Sequence, residues 1–365
     1  MTKIKDLVSY LASIAPPSYQ ESYDNSGLIT GDANAEVKGV LVSLDCIESI
    51  VDEAIEKDCN VIVAHHPIVF KGLKSFTGKD YVERTVIKAI KNDIAIYAIH
   101  TNLDNVLHGV NAKIGEKIGI SNPKILAPKK QLLSKLVAFI PQENKEAVLD
   151  AIYKAGAGEI GNYSNCSFTT TGKGTFKPNE SADPHIGKQG EAEEVTEDRI
   201  EVMMPSHLEN RVIGTLKKAH PYEEVAYYIT QLQNENQEVG SGMYGDLDQP
   251  MEPFEFLNYL KDRMALNCIR HTAPSNKKIK RVAWCGGAGS FLLKKAISQQ
   301  ADVFITGDFK YHEFFDAEDK IMIADIGHYE SEVFTKELLY EILTKKFTTF
   351  ATNLSEIVTN PISYL

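Results

Sequence analysis

The 365-residue sequence lacks paired cysteines and long apolar runs. Its five cysteines are an odd number, and no Cys-x-x-Cys pair occurs among Cys46, Cys59, Cys166, Cys268 and Cys285. This pattern argues against a disulfide framework or a zinc ribbon and is typical of a reducing compartment. No apolar stretch is long enough for a signal peptide or a membrane span. We therefore expect a cytoplasmic protein with no membrane partner.

Basic runs are also scarce. Lys and Arg number 39 against 50 Asp and Glu, a net charge of −11, and the only concentrated basic segment is residues 277–281. Because binding to a phosphate backbone depends on clustered positive charge, this composition argues against nucleic acid as a main partner. The 43% hydrophobic content is enough to bury a substantial core in two or more domains.

Apolar strand patterns alternate with helical patterns in the first third of the chain. Strands are predicted over residues 40–44, 61–64 and 94–99, with helices over 47–55 and 81–90. Such alternation requires crossover connections and predicts an α/β fold with mainly parallel or mixed sheets flanked by helices.

The pattern changes after about residue 130. Strands over 136–140, 163–170, 199–204 and 225–229, with helices over 144–153 and 208–219, give the order β-α-β-β-α-β, and a Gly- and Pro-rich loop reaches about residue 194. This order is typical of a ferredoxin-like α+β module. The first pattern resumes beyond residue 245 and ends in a long helix. We predict an α/β domain formed by residues 1–130 and 248–365, with an insertion domain at 131–247.

Two adjacent histidines follow the apolar run at 61–64. Pro67 cannot donate to a strand ladder, so the strand should end at His65 and His66, at the edge where open α/β sheets bind ligands. Adjacent strand residues point to opposite faces, so one metal would require a sharply bent backbone. Two neighbouring metals are the easier geometry.

Three further ligand-type residues lie elsewhere. His328 and Glu332 share one face if their segment is helical, and Asp104 follows the strand at 94–99. Each alone is more often structural: a lone strand-end His is usually hydrogen-bonded, an HxxxE pair is usually solvated, and Asp is common in turns and N-caps. The coincidence of several such segments predicts a nitrogen and oxygen site suited to Zn, Fe, Mn, Co or Ni, where paired ions would activate water.

Six motifs together resemble the Nif-three-like family of dinuclear metal proteins, whose members are called GTP cyclohydrolase 1 type 2 homologues. The motifs are residues 21–28, 64–67, 100–104, 301–308, 327–332 and 359–361, and they span nearly the whole chain. Tyr23 stands where the family commonly has Trp. The resemblance implies two divalent ions, Zn or Fe first, held by His65, His66, Asp104, His328 and Glu332. It also implies a ring-shaped homohexamer and, from residues 161–168, 172–178 and 219–224, a PII-like or CutA-like insertion.

Two functions follow as hypotheses. The first is a metal-dependent hydrolase of a small phosphorylated or nucleotide-like substrate, with GTP ring opening implied by the family label and with His100 or His312 moving the proton. His312 fits a surface helix residue equally well. The second is a non-enzymatic hexameric scaffold whose insertion senses a small molecule through a mobile loop near residues 172–174.

Two tempting motifs have plainer interpretations. The glycine-rich segment at 285–290 lacks a full dinucleotide pattern, so a tight turn is favoured over a phosphate cradle. His220 and Cys166 in the insertion fit a packed turn and a small core side chain better than a ligand pair.

Overall fold

The computed structural model describes residues 1–274 and 277–365, which form two compact units. One unit combines Met1–Ala127 with Val239–Leu365, and the other is Pro128–Glu238. No helix of the described residues is long and apolar enough to cross a membrane.

The helices and strands alternate along the chain as follows. The first segment contains α1 (Ile4–Ile14), β1 (Gly27–Thr30), β2 (Gly39–Ser43), α2 (Glu48–Glu56), β3 (Val61–Ala64), α3 (Tyr81–Lys91), β4 (Ala95–Ala98), α4 (Thr101–Asp104), α5 (Val110–Lys117) and β5 (Lys124–Lys130). The middle segment contains β6 (Leu133–Pro141), α6 (Lys145–Lys154), β7 (Phe168–Phe176), β8 (Glu193–Pro205), α7 (Glu209–Ala219), β9 (Tyr227–Leu232) and β10 (Glu235–Met251). The last segment contains α8 (Pro253–Arg263), β11 (Arg270–His271), β12 (Ile279–Ala288), α9 (Leu293–Ser298), β13 (Val303–Gly307), β14 (Met322–Asp325), α10 (His328–Glu332), α11 (Thr335–Lys346) and β15 (Ala351–Leu354).

The first sheet of the larger unit has the strand order β1-β4-β3-β2-β15. Strands β15, β2, β3 and β4 are parallel, and β1 pairs antiparallel with β4 at the edge. Every residue of β2, β3 and β4 is buried, which explains why these strands read as continuous apolar runs. Helix α2 contributes Ile50 and Val51 to the core beside them, and α3 contributes Val86.

The second sheet of this unit has the order β11-β14-β13-β12-β10-β5. Strands β12, β13 and β14 are parallel. Strand β10 pairs antiparallel with β12, and β11 pairs antiparallel with β14. Trp284 of β12 is fully buried, and its indole N–H donates to the Asn111 carbonyl at 2.7 Å. The unit is therefore a mixed α/β fold, as the alternating pattern predicts.

The smaller unit has the element order β6-α6-β7-β8-α7-β9 and one antiparallel sheet with the order β7-β8-β6-β9. Its helices pack against the sheet. Val212 and Leu216 of α7 share a buried core with Leu136 of β6 and Ile200 of β8. The β-α-β-β-α-β order expected from sequence is present.

Several elements differ from the sequence-based expectation. Strand β10 runs for 17 residues but is not predicted, because Gly240, Gly242 and Gly245 interrupt its apolar pattern. Strands β7 and β8 extend into the expected loop, leaving 177–192 between them. The final helix is two helices, α10 and α11, and the connection from β13 to β14 is the 3-10 segment Tyr311–Ala317.

Candidate metal centre

The predicted ligands lie where strands of both sheets in the larger unit end. His65 and His66 follow β3, and Asp104 ends the short helix α4 after the adjacent parallel strand β4. His328 begins α10 just after β14 of the second sheet. Polar side chains from both halves of the chain therefore reach one place.

Glu332 lies at the centre of this cluster. Its Oε2 is 3.0 Å from His66 Nε2 and 3.1 Å from His328 Nε2, and its Oε1 is 3.8 Å from His65 Nε2. His65 Nε2 is in turn 3.6 Å from Asp104 Oδ1. The structure thus brings together all five predicted ligands.

The potential ligand atoms fall into overlapping groups. His65, Asp104 and Glu332 form one group within 4.8 Å, and His66, His328 and Glu332 form a second. Glu332 belongs to both, so its carboxylate joins the two groups. A third group contains His65, His66 and His100, which places His100 against the same cluster.

Each imidazole is oriented by a hydrogen bond at Nδ1. His65 Nδ1 donates to the Ile99 carbonyl at 2.8 Å, which leaves the Nε2 lone pair free to act as a ligand. Carboxylates play the same part for the other rings: Asp45 at 2.7 Å from His66, Asp24 at 2.7 Å from His100, and Asp308 at 2.8 Å from His328.

The electrostatics of the cluster fit a cation. Burial disfavours charge on His66 and His328. His66 nevertheless donates hydrogen bonds to Asp45 and Glu332, which raise its pKa to about 10, and the bond that His328 donates to Glu332 raises the pKa of His328 to about 9. Burial and the neighbouring Glu332 raise the pKa of Asp104 to about 8. The buried carboxylates thus favour positive charge on the neighbouring imidazoles, and a bound cation would supply positive charge at the same place.

Two buried atoms in the cluster also lack partners. His65 Nε2 and Asp104 Oδ1 are buried without a hydrogen bond in the described structure. Leaving such groups unpaired is costly, whereas a bound divalent cation would satisfy both. The donor set therefore fits the metal ions that the sequence predicts.

A cavity of about 470 Å³ opens beside the cluster. Tyr23, Phe70 and Phe291 supply aromatic side chains to its wall, with Tyr23 and Phe70 ring centroids 6.0 Å apart. A Cβ at Gly287 would lie 2.6 Å from Glu332 Oε1. The glycine-rich segment thus lets the carboxylate approach the backbone closely.

The remaining predicted residues separate into two cases. His100 lines the cavity, whereas His312 is exposed, packs its ring near Tyr311 and Phe315, and belongs to none of the three groups found among the described residues. The geometry of this chain therefore gives His312 no support as a proton carrier.

The candidates in the smaller unit are satisfied locally. His220 Nε2 donates to the Phe139 carbonyl at 2.9 Å, and its Nδ1 accepts from the Tyr222 N–H at 3.1 Å. Cys166 Sγ contacts the Ser164 carbonyl. Neither belongs to a metal-ligand group of the described residues.

Asp24, Asp45 and Asp308 are functional candidates to which the sequence patterns assign no role, although Asp24 and Asp308 lie within two of the family motifs. Asp45 follows β2, so it lies at the same sheet edge as His65, and this placement is the signal that could have identified it. Thr359 Oγ1 donates to the second carboxylate oxygen of Asp45. Asp308 has a φ of 59°, a conformation that a non-glycine residue rarely adopts.

Comparison with known proteins gives a consistent result. The family model described as Duf34/NIF3 (NGG1p interacting factor 3) matches residues 2–361. A Bacillus subtilis protein named GTP cyclohydrolase 1 type 2 homolog is 38% identical over 99% of this chain and 98% of its own length. A Staphylococcus aureus protein of the same name is 37% identical over the whole of both chains. The crystal structure of a Bacillus cereus protein related to NIF3 superimposes with a TM-score of 0.88 at 36% identity, covering 100% of this chain and 99% of the other.

Proposed function

The chain belongs to the Duf34/NIF3 family, and on that premise we propose that it binds two divalent metal ions and hydrolyses a small phosphorylated or nucleotide-like molecule. The observation that carries the proposal is the position of Glu332 in both ligand groups. One ion would be held by His65, Asp104 and Glu332, and the other by His66, His328 and Glu332. Zn or Fe is the expected metal, and Mn, Co or Ni suits the same ligands.

Bound ions in such a pair supply Lewis acidity and make a water molecule acidic near neutral pH. The residues around them have separate roles. Burial opposes the charge of Asp24, but hydrogen bonds from His100 and Thr101 outweigh it and keep the pKa of Asp24 well below its usual range. The Asp24 carboxylate thus holds a proton on His100 Nδ1, and His100 is our candidate to move a proton at its other nitrogen.

The cavity wall indicates a substrate class. Tyr23 and Phe70 offer ring faces for a planar heteroaromatic group, and the Phe70 ring lies 6.3 Å from that of His100. The names of the relatives make GTP the first substrate to test.

We further propose that residues 128–238 are a ferredoxin-like inserted domain of the PII-like or CutA-like kind. The strand order β7-β8-β6-β9 with helices after β6 and β8 supports this proposal. A second candidate function, a metal-dependent scaffold that senses a small molecule, is supported by a separate cavity within this unit.

Metal counting tests the proposal. Elemental analysis of purified wild-type protein should give two ions per chain, Asp104→Asn should lose about one, and Glu332→Gln should lose most of both. Glu337→Gln, at a half-exposed acid of α11 paired with Lys117, is the matched control and should retain both ions. Formate release from GTP should require the loaded wild-type protein.

Two outcomes would contradict the proposed hydrolase. The first is turnover of GTP or another nucleotide by metal-free Glu332→Gln protein. The second is a fully loaded wild-type protein that turns over no nucleotide or phosphate ester, which would favour the scaffold instead.

A further inference from the structure

The smaller unit, residues 128–238, contains its own cavity of about 500 Å³. The loop between β7 and β8 covers one side, and the turn after α7 forms another. The Asp183 N–H donates to Glu223 Oε1 at 2.9 Å, which ties this loop to this turn. The volume lies in the range of sites for small organic molecules.

Aromatic rings form much of the cavity wall. The Tyr222 ring lies 6.2 Å from Phe176 and 6.0 Å from His185, and Phe139 packs against Tyr228 at 5.8 Å. All of these residues line the cavity. Ring faces of this kind bind flat apolar groups and attract cations.

Two buried polar groups face this aromatic space. The Glu197 side chain lines the cavity although the residue is only 8% exposed. The Tyr222 hydroxyl is buried and has no hydrogen-bond partner among the described residues. A Cβ at Gly174 would overlap the Glu197 carboxylate, so this glycine makes room for the acid. A buried phenol without a hydrogen bond is costly unless a ligand satisfies it. Burial and the neighbouring Glu197 carboxylate raise the pKa of Tyr222 to about 12, so the two groups offer a ligand a hydrogen-bonding hydroxyl beside a negative charge.

The charges around the cavity indicate the sign of that ligand. Glu197, Glu223 and Glu224 contribute three carboxylates, against the ammonium of Lys177. A cation is therefore favoured over an anion.

We propose that this cavity binds a small organic cation, a protonated amine carried on an aromatic body, with the amine at Glu197 and Tyr222 and the ring between the aromatic walls. This proposal rests on the second candidate function, because it names the kind of small molecule that the scaffold would sense. The cavity shares no lining residue with the metal centre. Failure of one proposal therefore leaves the other open to its own test.

Calorimetry of the full chain with three indole probes tests the site. Tryptamine is cationic at pH 7, tryptophol is neutral and indole-3-acetate is anionic, while all three carry the same ring. Tryptamine should bind at least tenfold more tightly than the other two. Glu197→Gln should weaken tryptamine binding at least tenfold, because it removes the charge and keeps the shape.

The control is Glu159→Gln, which makes the same charge change at an exposed position of the unit outside the cavity lining and should leave the affinity unchanged. The wild-type ranking of the probes stands even if Glu197→Gln folds poorly. No tryptamine binding, equal binding of indole-3-acetate, or unchanged tryptamine affinity in a folded Glu197→Gln protein would each overturn the proposal.

Discussion

At the scale of single residues, the candidate centre depends on acidic residues that are not themselves among the predicted metal ligands. Asp45, Asp24 and Asp308 each accept from, or share a proton with, the Nδ1 of one imidazole. The ring is thereby held with Nε2 toward the cluster, and the acid increases the basicity of that nitrogen. Loss of such an acid should therefore lower the affinity of the centre for metal ions.

We predict that Asp45→Asn lowers metal affinity about 10- to 100-fold, the usual effect of losing such a partner. The amide can still hydrogen-bond, but it no longer supplies the negative charge that favours the correct His66 tautomer. Competition with a chromophoric chelator measures the change. Asp52→Asn, at a half-exposed acid paired with Lys88, is the control and should match wild type. Equal affinity in both variants would show that Asp45 does not position His66.

At the scale of elements, the short helix α10 carries two of the ligands and has little core of its own. It begins directly against the end of β13, where a Cβ at Gly307 would lie 2.8 Å from the His328 nitrogen and 2.9 Å from the Gly327 carbonyl carbon. Because both atoms are backbone, they cannot move aside as a side chain would. The glycine therefore sets the position of the helix.

Gly307→Ala should destabilise the protein by about 1–3 kcal/mol, the usual cost of overpacking a tight contact. It should also reduce metal content, because α10 must shift with His328 and Glu332. Urea unfolding and elemental analysis measure the two effects. Gly72→Ala, where an added Cβ meets no atom within 4 Å, should change neither. Normal metal content in Gly307→Ala would mean that α10 is positioned by other contacts.

The start of α3 provides a pH-dependent contribution to stability. Glu83 is buried and accepts from the Thr77 N–H at 2.8 Å and the Gly78 N–H at 2.9 Å, which anchors the loop before the helix. These bonds lower the pKa of Glu83 from 4.5 to about 2, with the Thr77 N–H as the largest cause. A lowered folded-state pKa stabilises the fold above the unfolded pKa and loses that effect as pH falls toward the folded pKa.

We therefore expect Glu83→Gln to be less stable than wild type at pH 7, with the difference shrinking as pH falls below about 4.5. Urea midpoints between pH 7 and pH 3 measure this convergence. Glu48→Gln, at a partly exposed acid paired with Arg84, is the comparison. A stability gap between Glu83→Gln and wild type that stayed constant over this range would contradict the assigned ionisation.

At the scale of the whole molecule, we predict a homohexamer. Several large aromatic side chains of the α/β unit are mostly exposed in the single chain, and a subunit interface would bury such groups. They include Phe254, Phe291, Tyr311 and Phe315, which are 63–73% exposed. Native mass spectrometry should give six times the chain mass of 40.6 kDa. A monomer or dimer at micromolar concentration would contradict the ring.

Local patterns predict the buried parallel strands well and the irregular ones poorly. The apolar runs at 61–64 and 94–99 correspond to β3 and β4, because strands covered on both faces need apolar residues throughout. Strand β10 escapes prediction because its glycines serve close approaches to other elements: a Cβ at Gly242 would lie 2.9 Å from the Trp284 carbonyl oxygen. That requirement comes from a partner strand and is invisible in the local pattern.

The sequence by itself determined the α/β class, the family resemblance and the five ligand-type residues at strand and helix ends. Residue chemistry and periodicity carry these properties, and both are local. Only the tertiary structure decided that Glu332 joins both ligand groups, that Asp45 orients His66, and that Glu197 faces an aromatic cavity. His66 and Glu332 are 266 residues apart in the chain, so their contact depends on how two sheets pack and cannot be read from either segment alone.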